Sequence, residues 1–195
     1  MRKVILVDAG GTNIGSVRYA LQRLGVDASL SAEATEIRSA SHVILPGVGA
    51  AAPGMKRLRD SHLVDVIRAL TQPVLGVCLG MQLLFARSEE SDTECLGIIP
   101  ADVRRLQSDG VRVPHMGWNM TTMQTNNRIM DETDSGYAYY VHSYAAPVGD
   151  FTVATSTYGE LFSAIVQRDN FFGVQFHPER SASLGAKLLS NFLAL

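Results

Sequence analysis

Cysteine is scarce in this sequence, with two residues in a chain of 195. A framework of disulfides, which small secreted domains use in place of a large core, is therefore not expected, and both thiols should be reduced. One of them, Cys95, has no motif around it and is predicted to be a small buried residue. The sequence also lacks a large excess of either positive or negative charge, since its formal net charge is −2. This balance gives no reason to expect a nucleic acid or an acidic membrane surface as a partner.

Long apolar runs are also missing from the sequence. None approaches the roughly 18 residues of a transmembrane helix. The N-terminal apolar stretch Val4–Val7 ends at Asp8, which makes it too short for the hydrophobic region of a signal peptide. We therefore expect no membrane partner and a cytoplasmic location. Hydrophobic residues make up 46% of the sequence, enough for one large core, so residues 1–195 are expected to form a single domain.

Short apolar stretches alternate with helical patterns in the first half of the chain. The predicted strands are residues 3–8, 41–47 and 73–78, and the predicted helices are residues 15–25, 55–70 and 79–88. Strands that are apolar throughout and separated by helices pair in parallel, with helices covering both faces of the sheet. The pattern predicts an α/β fold with a doubly wound, flavodoxin-like sheet.

The second half contains strand-like segments that follow one another too closely to be separated by helices. They are residues 96–106, 137–147, 151–159, 161–169 and 171–176. Such neighbours are expected to be antiparallel, which makes the predicted sheet mixed, with its antiparallel strands in the C-terminal half. An amphipathic helix is predicted over residues 183–195. Residues 107–136 have the least regular pattern, and their polar stretch 123–128 is predicted to be an exposed loop.

Cys78 lies at the centre of Gly76-Val77-Cys78-Leu79-Gly80, the glycine-x-nucleophile-x-glycine pattern of a nucleophile elbow. Flanking glycines permit a tight turn from strand to helix, which exposes the nucleophile at the carboxyl edge of the sheet, where doubly wound folds bind ligands. The amino end of the following helix favours the thiolate, the reactive form of cysteine. The alternative interpretation is a buried cysteine with no chemistry.

A thiol nucleophile needs a base, and the base needs a group that orients it. His177 ends a predicted strand and is followed by Pro178, which leads the chain out of the sheet. Glu179 is then near enough to accept the Nδ1 proton of His177, which leaves Nε2 free to take the proton of the Cys78 thiol. The other histidines have simpler explanations, which are a surface position for His62, a structural role for His42, and positions lining a pocket for His115 and His142.

Acyl chemistry also requires hydrogen-bond donors for the oxyanion. The backbone N–H of Leu79, directly after Cys78, is the usual donor at a nucleophile elbow. A second donor is predicted in the glycine-rich loop 45–51, where glycines on either side of Val48 let that peptide turn toward the site or away from it. A simple turn after a strand is the other interpretation of this loop.

With GVCLGMQLL, FHPE and LPGVGAA present together, the sequence resembles the class I (triad) glutamine amidotransferases. Within that family it is most similar to the branch formed by the glutaminase subunits of imidazole glycerol phosphate synthase. The stretches that carry this narrower similarity are DAGGTNIGSV (8–17), LPGVGAA (45–51), PHMGWN (114–119), YYVHSYA (139–145) and FFGVQFHPERS (171–181). The resemblance covers essentially the whole chain and implies one glutamine amidotransferase domain over residues 1–195.

The resemblance implies that the protein hydrolyses glutamine to glutamate and ammonia. Cys78 would attack the side-chain amide, and His177, held by Glu179, would pass a proton to the departing ammonia and leave a glutamyl thioester that water hydrolyses. The resemblance also assigns the oxyanion to Leu79 and the Val48–Gly49 peptide, and the amino-acid end of the substrate to Gln82 and the Ser143–Tyr144 backbone. From the residues themselves, no metal and no bound cofactor are predicted, because no cluster of histidines, cysteines or carboxylates has metal-ligand spacing and no GxxxxGK phosphate loop is present.

The resemblance further implies a partner, a (β/α)₈-barrel cyclase subunit with which the chain forms a heterodimer. Ammonia would pass to that subunit unreleased, for the synthesis of imidazole glycerol phosphate and aminoimidazole carboxamide ribonucleotide in histidine biosynthesis. Family residues near the partner-facing surface are matched here by Asn13, Trp118, Tyr139 and Arg180. The family usually has G-x-G-N where this chain has Gly10-Gly11-Thr12-Asn13. Because a β-branched residue does not easily adopt φ > 0, a differently shaped loop is predicted at Asn13.

A glutaminase active alone would waste glutamine, so the oxyanion peptide is expected to be inactive in the isolated chain and to realign when the cyclase and its nucleotide bind. Three alternatives remain open. The glutaminase of pyridoxal phosphate synthase carries a GGES-type loop in place of LPGVG. Cysteine peptidases and glyoxalase-like proteins of this fold generally lack a residue matching Glu179. A degenerate, non-catalytic scaffold would have no need of Cys78 and His177.

Overall fold

The structure, a computed structural model, describes residues 2–9, 14–108 and 110–195. Its strands in chain order are β1 (Val4–Val7), β2 (Ala28–Ser31), β3 (His42–Leu45), β4 (Val74–Val77), β5 (Phe85–Ser88), β6 (Thr93–Glu94), β7 (Ile99–Arg105), β8 (His115–Met123), β9 (Gly136–His142), β10 (Tyr144–Ala145), β11 (Thr152–Tyr158), β12 (Glu160–Arg168) and β13 (Phe171–Val174). Its helices are α1 (Ile14–Arg23), α2 (Ala34–Arg38), α3 (Ala51–Asp60), α4 (Val64–Arg68), α5 (Leu79–Gln82) and α6 (Ala182–Leu193).

Nine strands of the described chain form one mixed sheet in the order β2-β1-β3-β4-β13-β12-β11-β8-β9. The pairs from β2 to β13 are parallel. The pairs from β13 to β9 are antiparallel. The predicted fold class, a doubly wound α/β sheet with antiparallel strands in the C-terminal half, is therefore confirmed.

The pairing of β4 with β13 brings two distant parts of the chain to one edge of the sheet. Val77 at the end of β4 is opposite Val174 at the end of β13. The N–H of Cys78 donates to the carbonyl oxygen of Val174 at 2.8 Å. Because the pair is parallel, the residues that follow both strands leave the sheet at the same edge, where doubly wound folds bind ligands.

Side chains of the central strands alternate between two hydrophobic clusters, one on each face of the sheet. Along β1, Leu6 belongs to the cluster that contains residues of α1 and α6, whereas Ile5 and Val7 belong to the cluster that contains residues of α3 and α4. Both faces of these strands are therefore buried under helices. This explains why the strands are apolar throughout instead of alternating with polar residues.

Four further strands form a separate sheet in the order β10-β7-β5-β6, which no pattern in the sequence predicts. The prediction of a helix over residues 79–88 is wrong beyond Gln82, because α5 ends there and Phe85–Ser88 forms β5. β5 pairs in parallel with β7, and Phe85 is buried against Phe151, with ring centroids 5.4 Å apart. Strand pairing and burial have overridden the helical pattern of this segment.

The helix predicted over residues 55–70 is in fact two helices, α3 and α4. Between them the N–H of Leu63 donates to the carbonyl oxygen of Leu58 at 2.8 Å, and the N–H of His62 donates to that of Arg59 at 2.9 Å. His62 has a φ of 55°. These two hydrogen bonds and the left-handed residue form a Schellman motif, which ends α3 while Leu58 and Leu63 both stay buried.

β8 crosses the segment 107–136, for which the sequence predicts the least regular structure. Buried and exposed side chains alternate along the strand, but the polar residues point inward and the apolar residues point outward. Polar His115 and Thr121 are buried, whereas Trp118 and Met120 are exposed. Patterns that place apolar residues inward therefore fail to detect this strand.

Two short elements, β2 and α2, are also missed by the sequence patterns. The polar stretch 123–128 is an exposed loop as predicted, except that Met123 is buried and Asn127 is half-buried. Among the helices that the structure describes, none combines the length and the apolar character needed to cross a membrane.

Candidate active site

Cys78 lies in the turn between β4 and α5, with φ 52° and ψ −107°. A non-glycine residue at such a positive φ is strained, and this strain is typical of the nucleophile in an elbow. A Cβ built on Gly76 would lie 2.6 Å from the carbonyl oxygen of Gly80, and one built on Gly80 would lie 1.8 Å from that of Leu45. Close backbone contacts on both sides of the cysteine therefore require the two glycines.

Gly80→Ala is expected to lower the free energy of unfolding by about 3 kcal/mol or more, because the new Cβ would overlap the Leu45 carbonyl group. Gly15→Ala is the matched control. Gly15 lies in α1, and nothing lies within 4 Å of its Cβ position, so alanine there should raise the free energy of unfolding by about 0.5 kcal/mol. Urea unfolding measures both effects. Similar values for the two variants would contradict the role assigned to Gly80.

Cys78, His177 and Glu179 meet at the carboxyl edge of the sheet. Pro178–Arg180 form a single 3₁₀ turn that brings the Glu179 carboxylate back to the imidazole, with His177 Nδ1 and Glu179 Oε1 2.9 Å apart. Burial alone would lower the pKa of His177. The hydrogen bonds to Cys78 and Glu179, together with the attraction of both groups, outweigh burial and raise this pKa to about 10. The imidazole is therefore held as a cation beside the sulfur at neutral pH.

Gln175 is a further buried residue of the site, and no motif singles it out in the sequence. Its Nε2 donates to the Cys78 Sγ at 3.7 Å, and its Oε1 accepts from Gln82 Nε2 at 3.0 Å. Gln82 Nε2 also donates to the carbonyl oxygen of Tyr144 at 2.8 Å. The signal that points to Gln175 is its position two residues before His177, which places both side chains on the same face of an extended segment.

The sulfur and the imidazole open into a cavity of about 250 Å³. Every residue that the resemblance assigns to the oxyanion or the substrate lines it, namely Val48, Gly49, Leu79, Gln82, Ser143 and Tyr144. Gly49 has a φ of 109°, which favours glycine. Glu90, which the sequence patterns miss, also lines the cavity. Its carboxylate accepts the N–H of Ala51 at 2.7 Å and so holds the amino end of α3 next to the Val48–Gly49 peptide.

Three of the four residues matched to a partner-facing surface lie together. The rings of Trp118 on β8 and Tyr139 on β9 have centroids 6.0 Å apart, and the guanidinium carbon of Arg180 lies 5.5 Å from the centroid of the Tyr139 ring. Asn13 and its neighbour Thr12 lie outside the described residues. The loop shape expected at Asn13 therefore stays a prediction.

The remaining histidines and the second cysteine occupy positions that agree with their sequence-based interpretation, with the exception of His115, for which the predicted pocket-lining position is wrong. His62 is exposed and His42 is buried. His142 lines the cavity, and His115 is buried behind it without lining the cavity itself. Cys95 is a free, buried thiol, and burial raises its pKa to about 11.

Residues 5–195 match the model of a family described as glutamine amidotransferase class-I. The chain therefore belongs to the class I glutamine amidotransferases. A crystal structure described as a glutamine amidotransferase resembles it with a TM-score of 0.76 and 19% sequence identity, over 98% of this chain and 97% of the other. At this level of identity the likeness shows the fold alone.

Within this family the chain falls among the proteins named imidazole glycerol phosphate synthase subunit HisH. It is 50% identical to the protein of that name from Idiomarina loihiensis over 192 residues, which are 98% of this chain and 97% of the relative. It is 53% identical to the one from Xanthomonas euvesicatoria over an alignment of 197 positions that covers 100% of this chain and 98% of the relative. The resemblance stated from the motifs is confirmed.

Proposed function

We propose that this chain is the glutaminase subunit of an imidazole glycerol phosphate synthase in the cytoplasm, and that it supplies ammonia to a (β/α)₈-barrel cyclase subunit. One observation carries the proposal. Cys78 and His177, the latter held by Glu179, open into the same cavity as all the residues expected to bind glutamine and the oxyanion. The names of the relatives support the identity of the synthase.

In the proposed reaction the sulfur of Cys78 attacks the carboxamide carbon of glutamine. The N–H of Leu79 and the Val48–Gly49 peptide receive the oxyanion that forms. Protonated His177 gives its proton to the departing nitrogen, so the C–N bond breaks, ammonia leaves and a glutamyl thioester remains. Water then attacks the thioester with His177 as the base, and glutamate is released together with the free sulfur.

The orientation of Gln82 supports an amino acid as the substrate. Both hydrogens of its Nε2 are used, by the carbonyl oxygen of Tyr144 and by Oε1 of Gln175. Gln82 Oε1 is therefore the polar atom that remains available to the cavity. An acceptor oxygen suits the N–H groups of a substrate ammonium, and a cavity of about 250 Å³ has room for a small polar molecule such as glutamine.

An exposed apolar face on β8 and β9 supports the proposed partner. We call it the docking face, and it consists of Met116, Trp118, Met120 and Tyr137, which are 63%, 54%, 41% and 61% exposed. Large apolar side chains grouped on one surface typically mark a protein interface. We propose that the cyclase subunit covers this face in a heterodimer.

The triad histidine is hydrogen-bonded to the strand that carries part of the docking face. The N–H of His177 donates to the carbonyl oxygen of Tyr139 at 2.9 Å, and the N–H of Tyr139 donates to Ser181 Oγ at 3.0 Å. A shift of β9 on binding a partner would therefore move the backbone of His177.

The proposal also includes the state of the oxyanion peptide, Val48–Gly49. This peptide is inactive in the isolated chain and is realigned when the cyclase and its nucleotide bind.

Glutamate production from glutamine tests the proposal, measured for the chain alone, with a cyclase subunit, and with the cyclase and its nucleotide ligand. Activity that appears with both partners supports the chemistry and the gating. Equal activity of the chain alone would overturn the gating and leave the chemistry in place. If no glutamate forms under any of the three conditions, the proposed function is wrong.

Trp118→Ala is expected to raise the Kd for the cyclase subunit about 10- to 100-fold, because a large aromatic side chain would be lost from the centre of the interface. Leu30→Ala is the matched control. Leu30 is 45% exposed on β2, at the opposite edge of the sheet, and its loss should change the Kd by less than about twofold. Isothermal titration calorimetry gives both values. Equal affinities of the two variants would exclude the docking face as the interface.

A further inference from the structure

A row of polar side chains, two of them buried histidines, leads away from the substrate cavity, and the reaction above uses none of them. His142 Nδ1 lies 2.9 Å from the carbonyl oxygen of Tyr144, and His142 Nε2 lies 3.0 Å from His115 Nδ1. His115 Nε2 in turn lies 3.4 Å from Asn119 Nδ2. His142 and His115 are opposite each other in the pairing of β9 with β8, and both are buried.

The chemistry of the two ends fixes the direction of every hydrogen bond in this row. A carbonyl oxygen only accepts, so Nδ1 of His142 carries a proton and donates to Tyr144. Nε2 of His142 then accepts from Nδ1 of His115, and Nε2 of His115 accepts from Asn119. The amide of Asn119 cannot turn over, because its Nδ2 also donates to the carbonyl oxygen of Thr157 at 2.8 Å and its Oδ1 accepts the N–H of Met120 at 2.8 Å.

Both imidazoles are neutral in this arrangement. A second proton on either ring would place two N–H groups face to face or leave one facing the Asn119 amide. Burial is the main cause that lowers the pKa of His142 to about 3. Burial also lowers the pKa of His115 to about 4. The ring of His115 is stacked between those of Tyr140 and Tyr158, with centroids 4.9 Å and 4.0 Å away, which holds it in place.

The carbonyl oxygen of Tyr144 is the point where this row reaches the substrate site. It accepts from His142 Nδ1 and from Gln82 Nε2, so both of its lone pairs are used. The Ser143–Tyr144 segment lines the cavity. The Tyr144–Ala145 peptide plane, which contains this oxygen, is therefore held by two side chains, one of which is His142. The Ser143–Tyr144 peptide before it is held by the N–H of Leu106, which donates to the Ser143 carbonyl oxygen at 2.9 Å. His142 thus helps to fix the backbone at Tyr144, on the cavity wall.

We propose that His142 is a positioning residue for glutamine binding, which orients the backbone at Tyr144 through the Tyr144 carbonyl group, and that His115 and Asn119 hold it in the tautomer this requires. The inference rests on the proposed function, because it assigns this segment to the substrate. Asn119 is also next to Trp118 of the docking face, so the row connects the strand that would meet the partner with the segment that would hold glutamine.

The tautomers are tested on the isolated full-length chain by ¹⁵N-detected NMR of the imidazole rings at neutral pH. Both His142 and His115 are expected to be neutral and protonated at Nδ1. A doubly protonated, cationic ring would overturn the inference, and so would a neutral ring of either residue with its proton on Nε2. This readout does not depend on glutaminase activity, and a merely packed pair of histidines would have no fixed preference for Nδ1.

The positioning role is tested by kinetics of the complex with the cyclase and its nucleotide. His142→Leu is expected to raise the KM for glutamine about tenfold, the effect of one lost hydrogen bond, with a smaller change in kcat. His142→Asn has a smaller side chain, but its Nδ2 lies near the position of the imidazole Nδ1 and replaces that donor, so it should restore a KM close to that of the wild type. An unchanged KM in His142→Leu, or equal impairment of both variants, would overturn the inference.

A replacement variant and the activity of the wild-type complex distinguish failure of the positioning role from misfolding and from failure of the proposed function. If His142→Leu does not fold, His115→Phe takes its place, because phenylalanine keeps the stacking between the tyrosine rings and removes the donor to His142. Its KM is expected to rise, and an unchanged value would count against the inference. An inactive wild-type complex would refute the proposed function, whereas an active one with an unaffected His142→Leu variant would refute the positioning role alone.

Discussion

Glutamate production by the complex is expected to fall by about 10⁴-fold or more when Cys78 is replaced by alanine. Without the sulfur no thioester forms, and His177 and the oxyanion donors are left without the nucleophile they serve. The assay is release of glutamate from glutamine with the cyclase and its nucleotide at saturation. After an acid quench, intact mass spectrometry should find the glutamyl adduct on the wild-type chain and none on Cys78→Ala.

Cys95→Ala is the matched control, since Cys95 is the other buried free cysteine and does not line the cavity. Its glutaminase activity should stay within about threefold of the wild type. Added ammonium salt should restore product formation by the Cys78→Ala complex, because the cyclase would then receive ammonia from solution. A Cys78→Ala complex that still hydrolyses glutamine would show that the nucleophile has been wrongly assigned.

Glu179→Gln is expected to lower kcat by about 10²- to 10³-fold while the fold is kept. The carboxylate orients His177 through a hydrogen bond of 2.9 Å, and the amide that replaces it has no charge to stabilise the imidazolium. The surface carboxylate of Glu132 provides the control, and Glu132→Gln should leave kcat unchanged. Equal kcat values for the two variants would remove Glu179 from the triad.

The same variant is expected to change the pH dependence of activity and stability. The pKa of His177 is raised from its ordinary 6.5 to about 10, in part by Glu179. The folded chain therefore binds this proton more tightly than the unfolded chain. The resulting stabilisation is complete below pH 6.5 and is lost as the pH rises through about 10. Without the Glu179 charge the pKa falls, so the alkaline limb of kcat should move to lower pH.

Urea unfolding between pH 6.5 and pH 10, the two pKa values of His177, measures the stability part of this prediction. The free energy of unfolding should decrease less over this interval in Glu179→Gln than in the wild type, because a smaller pKa shift stores less stabilisation. Parallel curves for the two proteins would mean that Glu179 does not raise the pKa of His177.

The elbow and the proposed triad are predictable from the sequence because most of their signals are local. Gly76 is in close contact with the backbone of Gly80 four residues on, and Pro178 fixes the turn that returns Glu179 to His177. Gly80 differs, because its own close contact is with the distant Leu45 carbonyl group. The central strands can also be predicted from the sequence, because burial on both faces of the sheet makes them apolar throughout. The parallel pairing of β4 with β13 brings Cys78 and His177 together. The alternation of strands and helices predicts the fold class, but it does not predict this particular pairing.

The rest of the site depends on contacts between distant segments, which local patterns do not encode. Gln175 acquires its role from Gln82 in α5 and from Cys78 in the turn before that helix, both of which are distant in sequence. The hydrophobic pattern does not predict β8, because the outward face of this strand is apolar and its inward face carries His115. Phe85–Ser88 is a strand because β7 lies beside it, although its own sequence continues a helical pattern.

β13 lies in the middle of the large sheet although it follows the other strands along the chain. During synthesis, β4 and β12 are both made before the strand that separates them exists. The ribosome thus makes Cys78 long before His177, the proposed base, and the two first meet when β13 pairs between β4 and β12. Pairing between segments so far apart in sequence is slow to form. Under the proposed mechanism, a chain not yet translated beyond β12 contains Cys78 without His177, and we expect it to hydrolyse no glutamine.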